Sequence, residues 1–191
     1  MDKIITIGRE FGSGGAEIAK KLAEKLNIPC YDKDIIGKTA VETGLVESDV
    51  ESREEFLSPA RKIASHFTLY NLYSNMTKDD KIYFAQEKII KNLADEGPCV
   101  IVGRCADYIL RDRDDVVNVF IYSDFDKRVE RIKALGVDED PEFFIREKDE
   151  QREDYYNFFT DMDWGKPHHY DICLNSGMLG IDKCVDILSN L

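Results

Sequence analysis

Ile4-Ile5-Thr6-Ile7-Gly8-Arg9-Glu10-Phe11-Gly12-Ser13-Gly14-Gly15-Ala16-Glu17-Ile18 decides how the rest of the chain is read. Its first four residues are β-branched, which suits a short strand buried on both faces. Beyond the glycines, Ile18, Leu22 and Leu26 recur at helical spacing with Ala19 and Ala23 beside them, so residues 14–26 read as a helix. Strand, glycine turn and helix in that order make a phosphate cradle. Backbone N–H groups of such a turn converge on an anion, and the helix start adds unpaired N–H groups and a positive dipole end. Glycine lets phosphate oxygens approach the main chain without interference from a side chain. A tight turn with no ligand is the plain alternative, but three glycines within positions 12–15 exceed what a turn needs. Gly8, Arg9, Gly12, Ser13, Gly14, Gly15, Ala16 and Glu17 are therefore the candidate phosphate-binding residues.

Working outward, continuous apolar runs alternate with helical patterns. Pro29-Cys30-Tyr31, Cys99-Val100-Ile101-Val102, the run 116–121 and Asp171-Ile172-Cys173-Leu174 read as further strands. Residues 33–43, 79–93, 126–135, 141–159 and 181–188 read as helices. Residues 46–96 are mostly helical in pattern, with Pro59 starting or interrupting a helix. Apolar rather than alternating strands, each followed by a helix, signal a parallel sheet covered on both faces. No repeat or linker divides the 191 residues, which are read as one domain.

Composition removes several function classes. The formal net charge of −12 argues against a nucleic-acid binder, which needs a basic surface, yet local arginines can still hold a small anion. No apolar stretch approaches the roughly 20 residues of a membrane span, and the opening run does not read as a signal peptide. Cys30, Cys99, Cys105, Cys173 and Cys184 form no CxxC pair and sit mostly in apolar runs. They read as reduced, buried thiols in a cytoplasmic protein, with no zinc-ligand spacing among them.

The glycine turn departs from the pattern G-x-x-x-x-G-K-[ST]. Arg9 stands at its first glycine, Gly15 at its lysine, and Ala16 and Glu17 follow, so no hydroxyl is available there for magnesium. Arg9 could supply the missing positive charge from another direction. Alternatively it is a surface arginine paired with Glu10 or Glu17.

Arg9-Glu10-Phe11-Gly12-Ser13-Gly14-Gly15, the lysine-rich helix behind it and Tyr31-Asp32-Lys33-Asp34-Ile35-Ile36 resemble the opening signature of the cytidylate kinase-like family. The resemblance continues at Val102-Gly103-Arg104, from Phe120 to Arg131, and at Arg152 with Tyr155-Tyr156. It implies a P-loop NTPase-type three-layer α/β sandwich. Its five-stranded parallel sheet would run in the order 2-3-1-4-5, with an acceptor-binding helical excursion at about 33–78 and a helical lid at about 137–166. It also implies ATP-dependent phosphoryl transfer with magnesium to a nucleoside monophosphate such as CMP or dCMP. Gly12 to Gly15 would wrap the donor phosphate. Asp32, Lys33, Arg104 and Asp149 fall at acceptor-binding positions of the family pattern. Arg9, Arg128, Arg131 and Arg152 would approach the transferring phosphoryl group as catalytic residues. Arginines suit that work because phosphoryl transfer asks chiefly for positioning and charge neutralisation, and a guanidinium meets two phosphate oxygens at once.

Three departures from the family pattern coincide on phosphate and magnesium handling: Gly15, Glu17, and Val102 in place of an aspartate. Two other readings therefore stand beside the nucleotide kinase. One is a nucleotide-binding pseudokinase that senses or scaffolds without turnover; the other is a kinase for a non-nucleotide acceptor. Glu10 or Glu17 could hold magnesium, or could simply be first-turn glutamates favoured by the helix dipole. Arg128 and Arg131, three apart, share a helix face that could equally pair with Asp124 or Glu130. Tyr155, Tyr156, Phe158 and Phe159 are read as packing a lid against the body rather than stacking on a base. Residues 46–75 read either as the acceptor cap or as the surface of a homodimer.

Overall fold

The β-branched run at the start of the chain is the central strand of a five-stranded parallel sheet, ordered β2-β3-β1-β4-β5. The computed structural model describes residues 3–53, 55–56, 77–136 and 140–191. The elements are β1 (Ile4–Arg9), α1 (Gly15–Leu26), β2 (Cys30–Tyr31), α2 (Asp34–Thr43), α3 (Glu47–Glu51), α4 (Lys78–Glu96), β3 (Val100–Val102), α5 (Ala106–Ile109), β4 (Val116–Tyr122), α6 (Phe125–Ala134), α7 (Pro141–Thr160), a 3-10 turn (Pro167–His169), β5 (Ile172–Asn175), α8 (Ser176–Leu179) and α9 (Ile181–Leu188). Pro59 and most of the stretch read as an acceptor cap or dimer surface lie outside the described residues.

Successive strand side chains leave the sheet on opposite faces, and both sets are buried because both faces are covered. Ile5 and Ile7 of β1 join Val100 and Val102 of β3 and Ile18 and Leu22 of α1 in one cluster, closed by Cys184 and Leu188 of α9. Ile4 and Ile101 point the other way, onto Ile35 of α2, Ile90 and Leu93 of α4, and Tyr155 and Tyr156 of α7. Register runs Ile5 to Val100 on one side and Ile4 to Val116 on the other, so all three central strands start near one level and run parallel. The turn after β1 therefore opens at the carboxyl edge of the sheet, where open α/β folds bind ligands.

The helix stops are local. Asn27 takes a left-handed conformation after α1, and Thr77 and Asp80 make a reciprocal capping box at the start of α4. Sequence periodicity finds the long elements to within one to three residues but misses α5 and α8. Both have only four residues, too few to show a helical period. The tyrosines of α7 pack as expected: Tyr155 Oη donates to Gln86 at 3.1 Å and Tyr156 Oη to Asp107 at 2.7 Å.

Candidate active site

The turn between β1 and α1 is held open by its own bonds and by three neighbouring elements. Gly12 and Gly14 have φ of 78° and 80°, the left-handed region in which a side chain is strained. Ser13 donates both its amide (3.3 Å) and its hydroxyl (2.8 Å) to the Glu10 carbonyl, and its own carbonyl accepts from Ser176 Oγ at 2.6 Å. Expected as a phosphate ligand, Ser13 is buried and spends its donors on shaping the loop. Gly8 lies lower, inside β1, where a Cβ would stand 2.9 Å from the Phe120 ring; it makes room for an aromatic layer beneath the turn. The amides of Gly15, Ala16 and Glu17 belong to the first turn of α1, where main-chain N–H groups have no intrahelical acceptor.

The absent lysine has a steric explanation. A Cβ on Gly15 would stand 2.6 Å from Arg9 Cβ and 3.0 Å from Arg9 Cγ, closer than the ~3.5 Å of favourable carbon contact. The stem of Arg9 occupies the space that a side chain at position 15 would need. The positive charge beside the turn is therefore delivered from the strand instead of from the helix.

Arg9, Gly12, Gly14 and Gly15 line a cleft of about 410 Å³ together with Ala16, Glu17, Asp32 and Lys33; Arg131 and Arg152 close it. Arg104 does not line that cleft; it is almost fully buried in a smaller adjoining pocket with Arg9, Glu55 and Arg152, its Nη1 donating to Asp32 at 3.1 Å and to the Val102 carbonyl at 2.7 Å. Its backbone is unusual. Gly103, Arg104 and Cys105 have φ of 67°, 56° and 56°, so two non-glycine residues in a row are left-handed, at a cost of about 1–3 kcal/mol each. Cys105 is buried there, and burial pushes its thiol far above the ordinary range, away from the reactive thiolate.

Glu55 is the residue that sequence reasoning missed. Its Oε1 accepts from Arg9 Nη1 at 2.5 Å and from the Arg104 amide at 2.9 Å, and its Oε2 lies 3.4 Å from Arg152 Nε. Burial alone would raise its carboxyl; the charges of Arg9, Arg152 and Arg104 more than reverse that and hold it well below the usual carboxylate range. No local pattern marks this glutamate, because its partners lie 46, 49 and 97 residues away along the chain (counting Arg9, Arg104 and Arg152 from position 55).

Two expected residues face elsewhere. Arg128 is buried behind the turn, where it donates to the Phe11 carbonyl at 3.3 Å, forms a short ion pair with Asp149 and approaches Glu10 at 3.4 Å. Asp149, expected beside the acceptor, accepts instead from the Phe11 amide at 2.7 Å. With Arg152 over the Phe11 ring at 5.5 Å and Phe144 edge-on to it at 5.1 Å, these contacts join α7 to the glycine turn. Glu10 accepts from the Ser123 amide at 2.9 Å, and burial raises its carboxyl despite that bond. Arg131 pairs with Glu17 at the cleft mouth; that hydrogen bond is the main reason the Glu17 carboxyl is lowered. Among the described residues no three acidic, histidine or cysteine side chains gather as a metal site of their own. Magnesium needs only one or two carboxylates when substrate phosphates supply further oxygens, and Glu17 and Asp32 line the cleft.

A parallel sheet in this order, with a glycine turn leading from its central strand into a helix, defines the P-loop kinase fold class. Shikimate kinase from Bacteroides thetaiotaomicron shares it at 14% identity and a TM-score of 0.58, covering 100% of this chain and 98% of that one. A gluconokinase from Sinorhizobium meliloti 1021 does so at 14% identity and 0.54, covering 99% and 94%. An uncharacterized protein from Eubacterium ventriosum ATCC 27560 is 32% identical over 98% of this chain and 96% of that one, with a TM-score of 0.72. No curated protein matches the sequence. The chain belongs to the cytidylate kinase-like family, whose model matches residues 4–178.

Proposed function

We propose that this protein is a magnesium-dependent kinase that moves the γ-phosphoryl group of ATP to a nucleoside monophosphate such as CMP or dCMP. The observation that carries the reading is convergence. The first-turn amides of α1 and the guanidinium groups of Arg9, Arg131 and Arg152 border one cleft, at the edge of the sheet where the fold binds ligands. The left-handed glycines of the turn leave room for the donor's phosphate chain, so the residues present fit ATP. Magnesium would arrive with it, held by phosphate oxygens and by Glu17 or Asp32.

The chain's own part is to bind, orient and neutralise. The amides of Gly15, Ala16 and Glu17 hold donor phosphate oxygens, and Arg131 at the cleft mouth meets the charge that develops as the phosphoryl group leaves ADP. Asp32, Lys33 and Arg104 border the acceptor side. Arg9 takes over the charge of the absent lysine. Arg128 acts as a positioning residue, fixing the turn through Phe11 and coupling it to α7 through Asp149.

A coupled assay of ADP release from MgATP, run across the common nucleoside monophosphates, tests this. Release on CMP or dCMP should exceed both the acceptor-free rate and that of Arg131→Ala. A second reading, a nucleotide-binding module without turnover, is favoured by one observation: Arg9, Arg104, Arg128, Arg131 and Arg152 are each already paired with a carboxylate. Tight ATP binding with no release stimulated by any of these acceptors would refute the nucleoside monophosphate kinase and favour the module.

A further inference from the structure

The carboxylate of Glu55 is placed as a bound anion would be. It is met from separate elements by Arg9 Nη1 at 2.5 Å, by the Arg104 amide at 2.9 Å and by Arg152 Nε at 3.4 Å. Its side chain is only 14% exposed. Three backbone features serve this position. A Cβ on Gly103 would lie 1.9 Å from Glu55 Oε1 and 2.2 Å from Arg9 Nη1, so carboxylate and guanidinium meet over a residue with no side chain. The left-handed Arg104 presents its N–H to the same oxygen, and Glu55 is itself left-handed, with φ of 52°. Left-handed non-glycine residues persist where the surroundings over-determine them, and they gather at ligand sites and switches.

We infer that Glu55 is an internal stand-in for the phosphate group of the acceptor, and that a phosphate monoester must displace it from Arg9, the Arg104 amide and Arg152 in order to bind. The inference rests on the kinase reading for the word acceptor, but not for the anion site itself. Charge favours a phosphate over a carboxylate ligand. Two guanidinium groups face one carboxylate, so a net positive charge is left over, whereas a phosphate monoester dianion balances both. Arg152 is the less closely paired of the two, 3.4 Å from the carboxylate against 2.5 Å for Arg9. Burial first, and the charge of Arg9 second, pull its guanidinium down to about 10, although Glu55, Asp149 and Asp32 act in the opposite direction.

Inorganic phosphate is a sufficient probe. Titrated by calorimetry, Glu55→Gln should bind phosphate at least tenfold more tightly than the wild-type protein, and the gain should vanish in Glu55→Gln with Arg152→Ala. Equal affinity in wild type and Glu55→Gln overturns the inference. A wild-type measurement covers the case in which the variant does not fold. In amide-resolved NMR, phosphate should move the Arg104 resonance, because that N–H exchanges a carboxylate partner for a phosphate oxygen. Movement confined to Gly14, Gly15 and Ala16 would mean that phosphate enters only the glycine turn, and would overturn it as well. Neither readout needs turnover. A protein that shows both responses but releases no ADP with CMP keeps this site and loses the kinase reading. One that releases ADP with neither response keeps the kinase and loses the stand-in.

Discussion

Giving position 15 a side chain should destabilise the protein, and the effect should reverse when Arg9 is removed. In Gly15→Ala the new methyl would stand 2.6 Å from Arg9 Cβ, 3.0 Å from Arg9 Cγ and 3.4 Å from Ile121 Cβ. Favourable carbon contact begins near ~3.5 Å, so the closest approach is about 1 Å too short. Its partner is the first atom of the Arg9 side chain and cannot swing away. Overpacking of this kind costs about 1–3 kcal/mol. Against it stands a gain of about 0.4–1 kcal/mol, because alanine has less unfolded-chain freedom to lose than glycine and the φ of Gly15 is not left-handed. The net is a loss of about 0–2.6 kcal/mol, about 1.3 kcal/mol at the middle of both ranges. With a urea slope near 2 kcal/mol per molar, a loss of 1 kcal/mol moves the midpoint down by about 0.5 M. Arg9→Ala keeps the offending Cβ and should leave the penalty in place. In an Arg9→Gly background the clash is gone, and Gly15→Ala should then raise the midpoint by the entropic gain alone. Urea unfolding of the four proteins in that cycle decides the matter. A Gly15→Ala midpoint equal to or above wild type, or the same shift in both backgrounds, would refute the idea that Arg9 excludes the lysine by occupying its space.

The two arginines of α6 should separate a structural from a functional role. Arg131 and Glu17 are 34% and 40% exposed, so Arg131→Ala should cost no more than about 1 kcal/mol of stability. ADP release should nonetheless fall by about 10²–10³-fold, as when one transition-state donor is lost, and unchanged release would remove Arg131 from the mechanism. Arg128 and Asp149 are largely buried, so Arg128→Ala should cost about 3–5 kcal/mol by stranding the carboxylate, and a stability loss below 1 kcal/mol would contradict the packing described. Glu55 has a carboxyl held low by its arginines, so the stability it confers is complete above the unfolded glutamate value of about 4.3 and is lost as pH falls toward its folded value. The urea midpoint of the wild type should therefore drop more steeply below pH 4.3 than that of Glu55→Gln, and parallel curves would show that the carboxylate is not held as described.

How much of this was readable before the structure depends on distance along the chain. The β-branched run at Ile4 and the glycines at 12, 14 and 15 announce strand and turn because their chemistry is local, and the resemblance supplies the strand order that periodicity cannot. Gly15 was visible as a missing lysine, but its cause was not: Arg9 is six residues away and meets it only after the chain folds back over the turn (15 less 9 in the numbering). Ser13 and Asp149 show the converse. Both are polar residues at family-like positions, yet their donors and acceptors are consumed by the Glu10 carbonyl and the Phe11 amide. Glu55 lay beyond any local reading, since one of two adjacent glutamates in a charged stretch has the composition of a solvated surface.

The ends of the sheet bear on how this protein can meet other chains. β2, at one edge, is two residues long, and β5, at the other, is four. A stranger seeking to extend the ladder would find only a few main-chain partners before the template ran out. Long, flat borders are what recruit fibrils and exchanged strands, and brevity is one of the ways proteins discourage them. Among the described residues, that leaves self-association to helical surfaces and their side chains.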